Sequence, residues 1–298
     1  MNTMNVSAIN IFYYTSTRDK NDAANTEREN ILISIINDPI PQEYLDDAEY
    51  GSLWTTLYNE WNDVLKRVAQ ETGVNYTSIK IKKRAGRKFK YDFDVLYYNG
   101  TTPVANRKIE FKNGGTNISN IPQFLSLQAK VNLFPVTYDT FWYNKYMDKY
   151  IACDSGITEP KPSLEKYIKN VTKTNYNTSP FFAQLREREE FFKKEKNDVV
   201  NDSITDYLTT HGEEFDIKSF SETVKATQTD KIYLLWSNGK FHIDKFSQAE
   251  MSGMIYHSIK NGNVLEIKSG NTIYGLLLRW RNHKGILNPA WQISIKRE

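Results

Sequence analysis

Two short stretches carry residue types that can do chemistry: Asp92-Phe93-Asp94-Val95 and Ile109-Glu110-Phe111-Lys112. Both lie in apolar, strand-like runs. Side chains two apart in a strand share a face, so Glu110 and Lys112 project together while Ile109 and Phe111 turn towards a core. Asp92 and Asp94 likewise share a face. Between the two stretches lies Tyr98-Asn99-Gly100-Thr101, and Asn-Gly is the strongest two-residue hairpin signal. A turn there draws Asp94 towards Glu110 and Lys112. An acidic pair beside a lysine is the minimum set for holding a hard cation and activating a water next to a phosphodiester. The same pattern also suits plain ion pairs on a half-exposed sheet, worth ~0–1 kcal/mol each.

Positioning these residues requires a framework on either side. A helix is expected over 26–36, stopped by Pro39 and Pro41. A long amphipathic helix follows over 52–72, with Leu53, Trp54, Leu57, Trp61, Val64, Leu65 and Val68 in one stripe and Gly73 ending it. Strands are expected over 74–81, 89–98 and 108–112. Pro122 opens a predicted helix to about Val131, and 136–142 reads as another strand. Residues 6–16 read as an apolar strand or irregular packing segment. The mixed charges of 185–196 suit an exposed helix, and 197–203 a linker. Further on, Asn238-Gly239 marks a hairpin between 232–236 and 241–246. Ser247-Gln248-Ala249-Glu250 fits a capping box opening a helix to about Asn261. Strands follow over 264–267, 272–280 and 291–295.

An Asp, a hairpin, and then Glu-x-Lys on the second strand resemble the core motif of the PD-(D/E)xK nuclease superfamily. The resemblance covers roughly residues 50–135. Phe93 stands where the family label has proline. Either Asp92 or Asp94 can be the motif aspartate; Asp94 is preferred because the unbroken apolar run Val95-Leu96-Tyr97-Tyr98 follows it. The resemblance implies an α+β fold, with an α/β/α restriction-endonuclease-like core whose central mixed sheet is flanked by helices. It implies Mg²⁺, with Mn²⁺ as a substitute, held by Asp94, Glu110 and the Phe111 carbonyl. Lys112 orients the water or stabilises the phosphate in flight. Many members add a glutamate from the helix before the sheet. Here Glu60, just off the centre of the apolar stripe, is the candidate, while Glu27 and Glu29 lie on the earlier helix.

Composition sets the bounds. With 298 residues the chain is long enough for two modest domains. The expected division is a nuclease core over 1–160, a helical connector over 161–225 and a smaller β-rich α+β unit over 226–298. The single cysteine, Cys153, excludes an internal disulfide and a multi-cysteine zinc site. It suits a reducing intracellular compartment. The N-terminus lacks a signal-peptide pattern, and no run approaches the ~18 apolar residues of a membrane span. The four histidines show no metal-ligand spacing, and neither a phosphate-binding glycine loop nor a nucleophile elbow is present.

Net charge is only +3, but its distribution is uneven. Lys82, Lys83, Arg84, Arg87 and Lys88 crowd the approach to Asp92, a pattern that neutralises phosphates. Arg279, Arg281 and Lys284 surround Trp280 and suit phosphate contact with base stacking. The expected activity is metal-dependent hydrolysis of DNA phosphodiester bonds, endonucleolytic and of restriction type. The expected partner is double-stranded DNA, with a homodimer for cutting both strands. The alternative is a nucleic-acid-binding or assembly protein without catalysis.

Overall fold

A computed structural model describes residues 4–13, 21–84, 89–171, 179–187, 194–283 and 286–298. Within these spans, the side chains of 21–22, 186–187, 194, 281–283 and 286–288 are not described. The chain forms two compact units, each discontinuous in sequence. One comprises Met1–Ile121 with Lys225–Phe246, the other Pro122–Val224 with Ser247–Glu298.

The first unit begins with a 3-10 turn at Val6–Phe12, where a strand or irregular segment was expected. Helices α1 (Asn21–Asn37), α2 (Gln42–Leu45) and α3 (Gly51–Glu71) follow, then strands β1 (Ser78–Lys83), β2 (Phe93–Asn99) and β3 (Thr102–Asn113). After the chain returns from the second unit, β5 (Lys231–Ser237) and β6 (Lys240–Asp244) complete the sheet. Its order is β1-β2-β3-β5-β6. Only β3 and β5 run parallel, so the sheet is mixed.

Alternation along these strands separates two faces. Phe93, Val95 and Tyr97 of β2, Ile109 and Phe111 of β3, and Ile232, Leu234 and Trp236 of β5 are buried in one core with α1 and α3. In α3 the apolar residues fall three and four apart, at Trp54, Leu57, Trp61, Val64, Leu65 and Val68. That spacing makes one helical face, and its burial on the sheet holds the helix. Polar tips within this core find partners: Trp61 Nε1 donates to the Leu32 carbonyl at 2.9 Å, and the Tyr97 hydroxyl to that of Leu65 at 2.9 Å. Gly73, at φ +64°, ends α3 as predicted. Asn37, the last residue of α1, exchanges two hydrogen bonds with the Ile81 backbone at 2.8 and 2.9 Å. This satisfies edge groups of β1 that the sheet leaves open.

The second unit holds β4 (Leu125–Gln128), helices α4 (Tyr138–Lys145), α5 (Met147–Ala152), α6 (Leu164–Asn170), α7 (Pro180–Glu187), α8 (Lys194–His211) and most of α9 (Ile217–Gln228), then β7 (Ile255–Lys260), β8 (Val264–Ser269), β9 (Thr272–His283) and β10 (Ile286–Arg297). Its antiparallel sheet has the order β4-β10-β9-β8-β7. The architecture is α+β, with a mixed sheet backed by helices and a β-rich C-terminal stretch.

Several local expectations give way to longer-range forces. The predicted helix over 122–131 is instead β4, whose Leu125 and Leu127 pair with Ile293 and Trp291 of β10. The predicted strand over 136–142 is the start of α4, where Thr137 caps the helix by accepting from the Thr140 N–H at 3.4 Å. The predicted linker over 197–203 lies inside α8, which buries Val200, Ile204, Tyr207 and Leu208 at helical spacing. The capping box at 247–250 does form, with Ser247 and Glu250 bonded reciprocally at 2.7 and 3.2 Å. The helix does not follow, because Gly253 at φ +64° turns the chain into β7. The serial division into three segments is replaced too: 122–160 belongs to the second unit, and the 231–244 hairpin closes the first sheet.

Candidate metal and phosphodiester centre

The β2–β3 hairpin sets the site. Gly100 takes φ +59°, and Asn99 stands opposite Thr102. Between Tyr97 and Tyr98 a bulge shifts the pairing by one residue. Below it, Asp94 faces Lys108 and Phe93 faces Ile109. One step further, Asp92 stands beside Glu110. The Asp92 N–H donates to the Ile109 carbonyl at 2.9 Å, and the Phe111 N–H donates to Asp92 Oδ2 at 2.9 Å. The carboxylate that joins Glu110 and Lys112 is therefore that of Asp92; Asp94 is held by other groups.

Four charged side chains meet there. Glu110 Oε1 pairs with Lys112 Nζ at 2.6 Å, and Oε2 with Lys231 Nζ at 2.7 Å. Lys231, only 3% exposed, also donates to the Lys90 carbonyl at 2.6 Å. Sequence reading missed it, because it enters from β5 through a parallel pairing with β3. Burial pushes the Asp92 carboxyl up to about 6; the nearby charges of Glu110 and Glu29 add to the rise, while Lys112 and the Phe111 N–H oppose it. Burial acts on Glu110 in the same direction, but Lys112 and Lys231 outweigh it and hold its carboxyl below the usual range. Burial alone would lower Lys112, yet Glu110 and Asp92 keep its ammonium above the ordinary lysine value. Lys231 goes the other way, lowered chiefly by burial.

Asp94 is 1% exposed and serves a clamp. It pairs with Arg84 and accepts from Asn106 Nδ2 at 3.3 Å. Glu60 is also displaced from its expected role. Its carboxylate accepts from the Phe241 N–H at 3.3 Å, on the side of the sheet that α3 covers. The helix glutamate whose charge acts on Asp92 and Lys112 is Glu29 of α1, paired with Lys83 at 3.1 Å.

Among the expected phosphate contacts, Lys82 is exposed and opposite Asp94, so it shares the face of the cluster. Lys80 and Lys108 are exposed on that same face. Arg84 is engaged by Asp94 and Lys83 by Glu29 and Asn30. Arg279 is half-buried in β9 of the second unit. Arg87, Lys88 and Lys284, and the side chain of Arg281, lie outside the described residues.

Among the described residues no three Asp, Glu, His or Cys side chains converge to hold a metal ion. The carboxylates that could face a cation here are those of Asp92 and Glu110, the latter paired through both oxygens with lysines. Hard oxygen donors suit Mg²⁺, which binds through one or two carboxylates and retains several waters. Burial, the chief cause of the raised Asp92 carboxyl, makes its ionised form costly, and a nearby cation would offset that cost. The Phe111 amide fixes Asp92, while its ring lies in the core. Among the described residues no helix is long and apolar enough to cross a membrane.

No family model and no curated protein matches the chain. A search of solved structures finds similarity to the restriction endonuclease MspI in complex with its cognate DNA. The identity is 9%, the match covers 98% of this chain and 97% of that one, and the TM-score is 0.32. A similarity of that degree leaves the functional reading to the site itself.

Proposed function

We propose that the first unit is the centre of a Mg²⁺-dependent DNA endonuclease of restriction type. The observation that carries this reading is the junction of Asp92, Glu110 and Lys112 at the base of the β2–β3 hairpin. Asp92 and Glu110 would hold the cation. When bound, it lowers the pKa of a coordinated water and offsets charge on the phosphate. The Phe111 N–H keeps Asp92 oriented, and Lys231 holds Glu110 against the strand. Lys112, kept cationic by its two carboxylate neighbours, positions the attacking water or steadies the phosphoryl oxygens. Lys80, Lys82 and Lys108 meet the DNA backbone, and two copies of the chain would serve two strands.

Supercoiled plasmid incubated with purified protein and Mg²⁺ tests this reading. Asp92→Asn, Glu110→Gln and Lys112→Met should each lower cleavage at least 100-fold, on the order of a lost electrostatic contact in a transition state. Cleavage by Asp92→Asn at the wild-type rate would remove it. One observation favours a second reading, a DNA-binding protein without catalysis: both Glu110 oxygens are already paired with lysines. That protein would retain DNA at low salt and cut it with neither Mg²⁺ nor Mn²⁺.

A further inference from the structure

The face of the first sheet that carries Asp92, Glu110 and Lys112 continues past them towards the β2–β3 turn. Register arranges its residues in cross-strand rows. Lys82, Asp94 and Lys108 form the first row beyond Glu110, and Lys80, Leu96 and Asn106 the next; Ser78, Tyr98 and Pro103 form the last. Alternation turns Ile81, Val95, Tyr97 and Ile109 the other way, into the core. Lys80, Lys82, Asn106 and Lys108 are exposed, with Leu96 and Tyr98 half-buried between them. This stretch of sheet is therefore open to solvent and bordered by ammonium groups.

Those ammonium groups are unspent. Neighbouring cations of the unit are engaged: Arg84 with Asp94, Lys83 with Glu29, and Lys112 and Lys231 with Glu110. Among the described residues, Lys80, Lys82 and Lys108 have no carboxylate partner. Asp94, the acid between Lys82 and Lys108, is 1% exposed and is taken by Arg84 and Asn106. The Lys80 ammonium lies over the Tyr98 ring, 5.8 Å from its centroid. Like charges gathered on one sheet face repel. The strands cannot turn them away, because their other face is fixed in the core. An anion with regularly spaced charges removes that repulsion.

The spacing suits a nucleic-acid backbone. Lys82 and Lys108 flank β2 and stand about 10 Å apart at ~4.8 Å per strand, with Lys80 about 7 Å beyond Lys82. From Glu110 to Asn106, level with Lys80, the strand advances four residues. That is ~13 Å, the axial length of about four nucleotides of one DNA strand. We propose that this face is a phosphate track, on which Lys108, Lys82 and Lys80 each hold a phosphate of the DNA beside the cleaved bond and lead it from the carboxylate centre towards the hairpin turn. The choice of DNA as occupant rests on the nuclease reading; the grip needs neither metal nor cleavage.

Fluorescence anisotropy of the full chain with a short labelled duplex, in chelator so that nothing is cut, tests the track. Each phosphate contact adds about 0.9 to the slope of log affinity against log salt. Lys80→Gln, Lys82→Gln and Lys108→Gln should each lower the slope by about 0.9, and the triple variant by about 2.7. Between about 50 and 200 mM salt, the wild type should therefore lose about 40-fold more affinity than the triple variant. Lys66→Gln is the control, an exposed lysine of α3, which covers the other face of the sheet. It should leave the slope as it is. The unfolding midpoint of the triple variant should be unchanged or raised, since only repulsion is removed. An unaltered slope in the triple variant, an equal fall in Lys66→Gln, or binding to anionic lipid vesicles in place of the duplex would overturn the proposal. A lysine-dependent slope in a protein that cuts no plasmid supports the track while removing the nuclease reading. Plasmid cleavage by a protein whose triple variant keeps the wild-type slope does the reverse.

Discussion

Asp139→Asn should make the protein more stable at alkaline pH and leave it unchanged in acid. Asp139 is 1% exposed, and neither carboxylate oxygen has a hydrogen-bond partner among the described residues. Burial raises its carboxyl from the ordinary 3.8 to about 7, with only the charge of Lys130 opposing. The folded protein therefore binds a proton that the unfolded chain has released across the window from about pH 4 to about pH 7. Stability falls with pH wherever the native state binds more protons. At 1.36 kcal/mol per pH unit, the wild type should lose about 4 kcal/mol across that window through this one group. Above it, the ionised Asp139 costs the fold that amount, a large part of a typical 5–15 kcal/mol. Asparagine has nearly the same shape and cannot ionise. Urea unfolding at pH 4, 6 and 8 should show variant and wild type coinciding at the lowest pH. They should separate by up to about 4 kcal/mol at the highest, with the variant the more stable. Curves that stay parallel from pH 4 to 8 would refute the reasoning, since they would mean that Asp139 is solvated or paired when charged.

Four other variants have outcomes that follow from the contacts. Lys231→Met leaves Glu110 buried with Lys112 alone and frees the Lys90 carbonyl. In chelator it should lower unfolding stability by about 3–5 kcal/mol, with part of the loss restored by Mg²⁺ through binding to the native state. Glu60→Gln should leave plasmid cleavage within about twofold of wild type, because its carboxylate serves the Phe241 N–H, whereas Glu29→Gln should slow cleavage by removing a charge that acts on Asp92 and Lys112. Gly51→Ala would drive a Cβ into the Leu45 carbonyl oxygen, so its melting temperature should fall by the equivalent of about 1–3 kcal/mol.

What the sequence made legible is what local chemistry decides. The stripe of α3, the Asn-Gly turns and the alternation of β2 and β3 each follow from residues within one or two turns of one another, and each is present. The failures share a cause. Residues 122–131 have a helix-compatible composition and become β4 because β10, more than 150 residues later, offers a ladder. The capping box at Ser247 forms as its residues dictate, yet a cap satisfies only a helix start, and one glycine at positive φ ends the element. The two-unit division escapes local reading for the same reason: the hairpin of β5 and β6 completes a sheet begun more than 100 residues earlier.

The choice between Asp92 and Asp94 was decidable by counting. A turn that sets Asn99 opposite Thr102 sets Asp94 opposite Arg107 and Asp92 opposite Ile109, three and one residues short of Glu110. The bulge at Tyr97 and Tyr98 moves each partner on by one and completes the approach of Asp92 to Glu110. Hydrophobic flanks, which favoured Asp94, say how deeply a residue is buried and nothing about what it faces. Burial did come to Asp94, and with it Arg84 and Asn106, which tie up its carboxylate. A carboxylate already neutralised by an arginine is poorly placed to attract a cation. One that burial and neighbouring acids have raised to about 6 is well placed, because a cation lowers the cost of its charge. The two helix glutamates differ instead in position. Glu60 spends its carboxylate on a backbone N–H, whereas Glu29 contributes its charge to Asp92 and Lys112 while bound to Lys83. Register and partner accounting, more than residue type, distinguish a carboxylate that builds the sheet from one that is left to act.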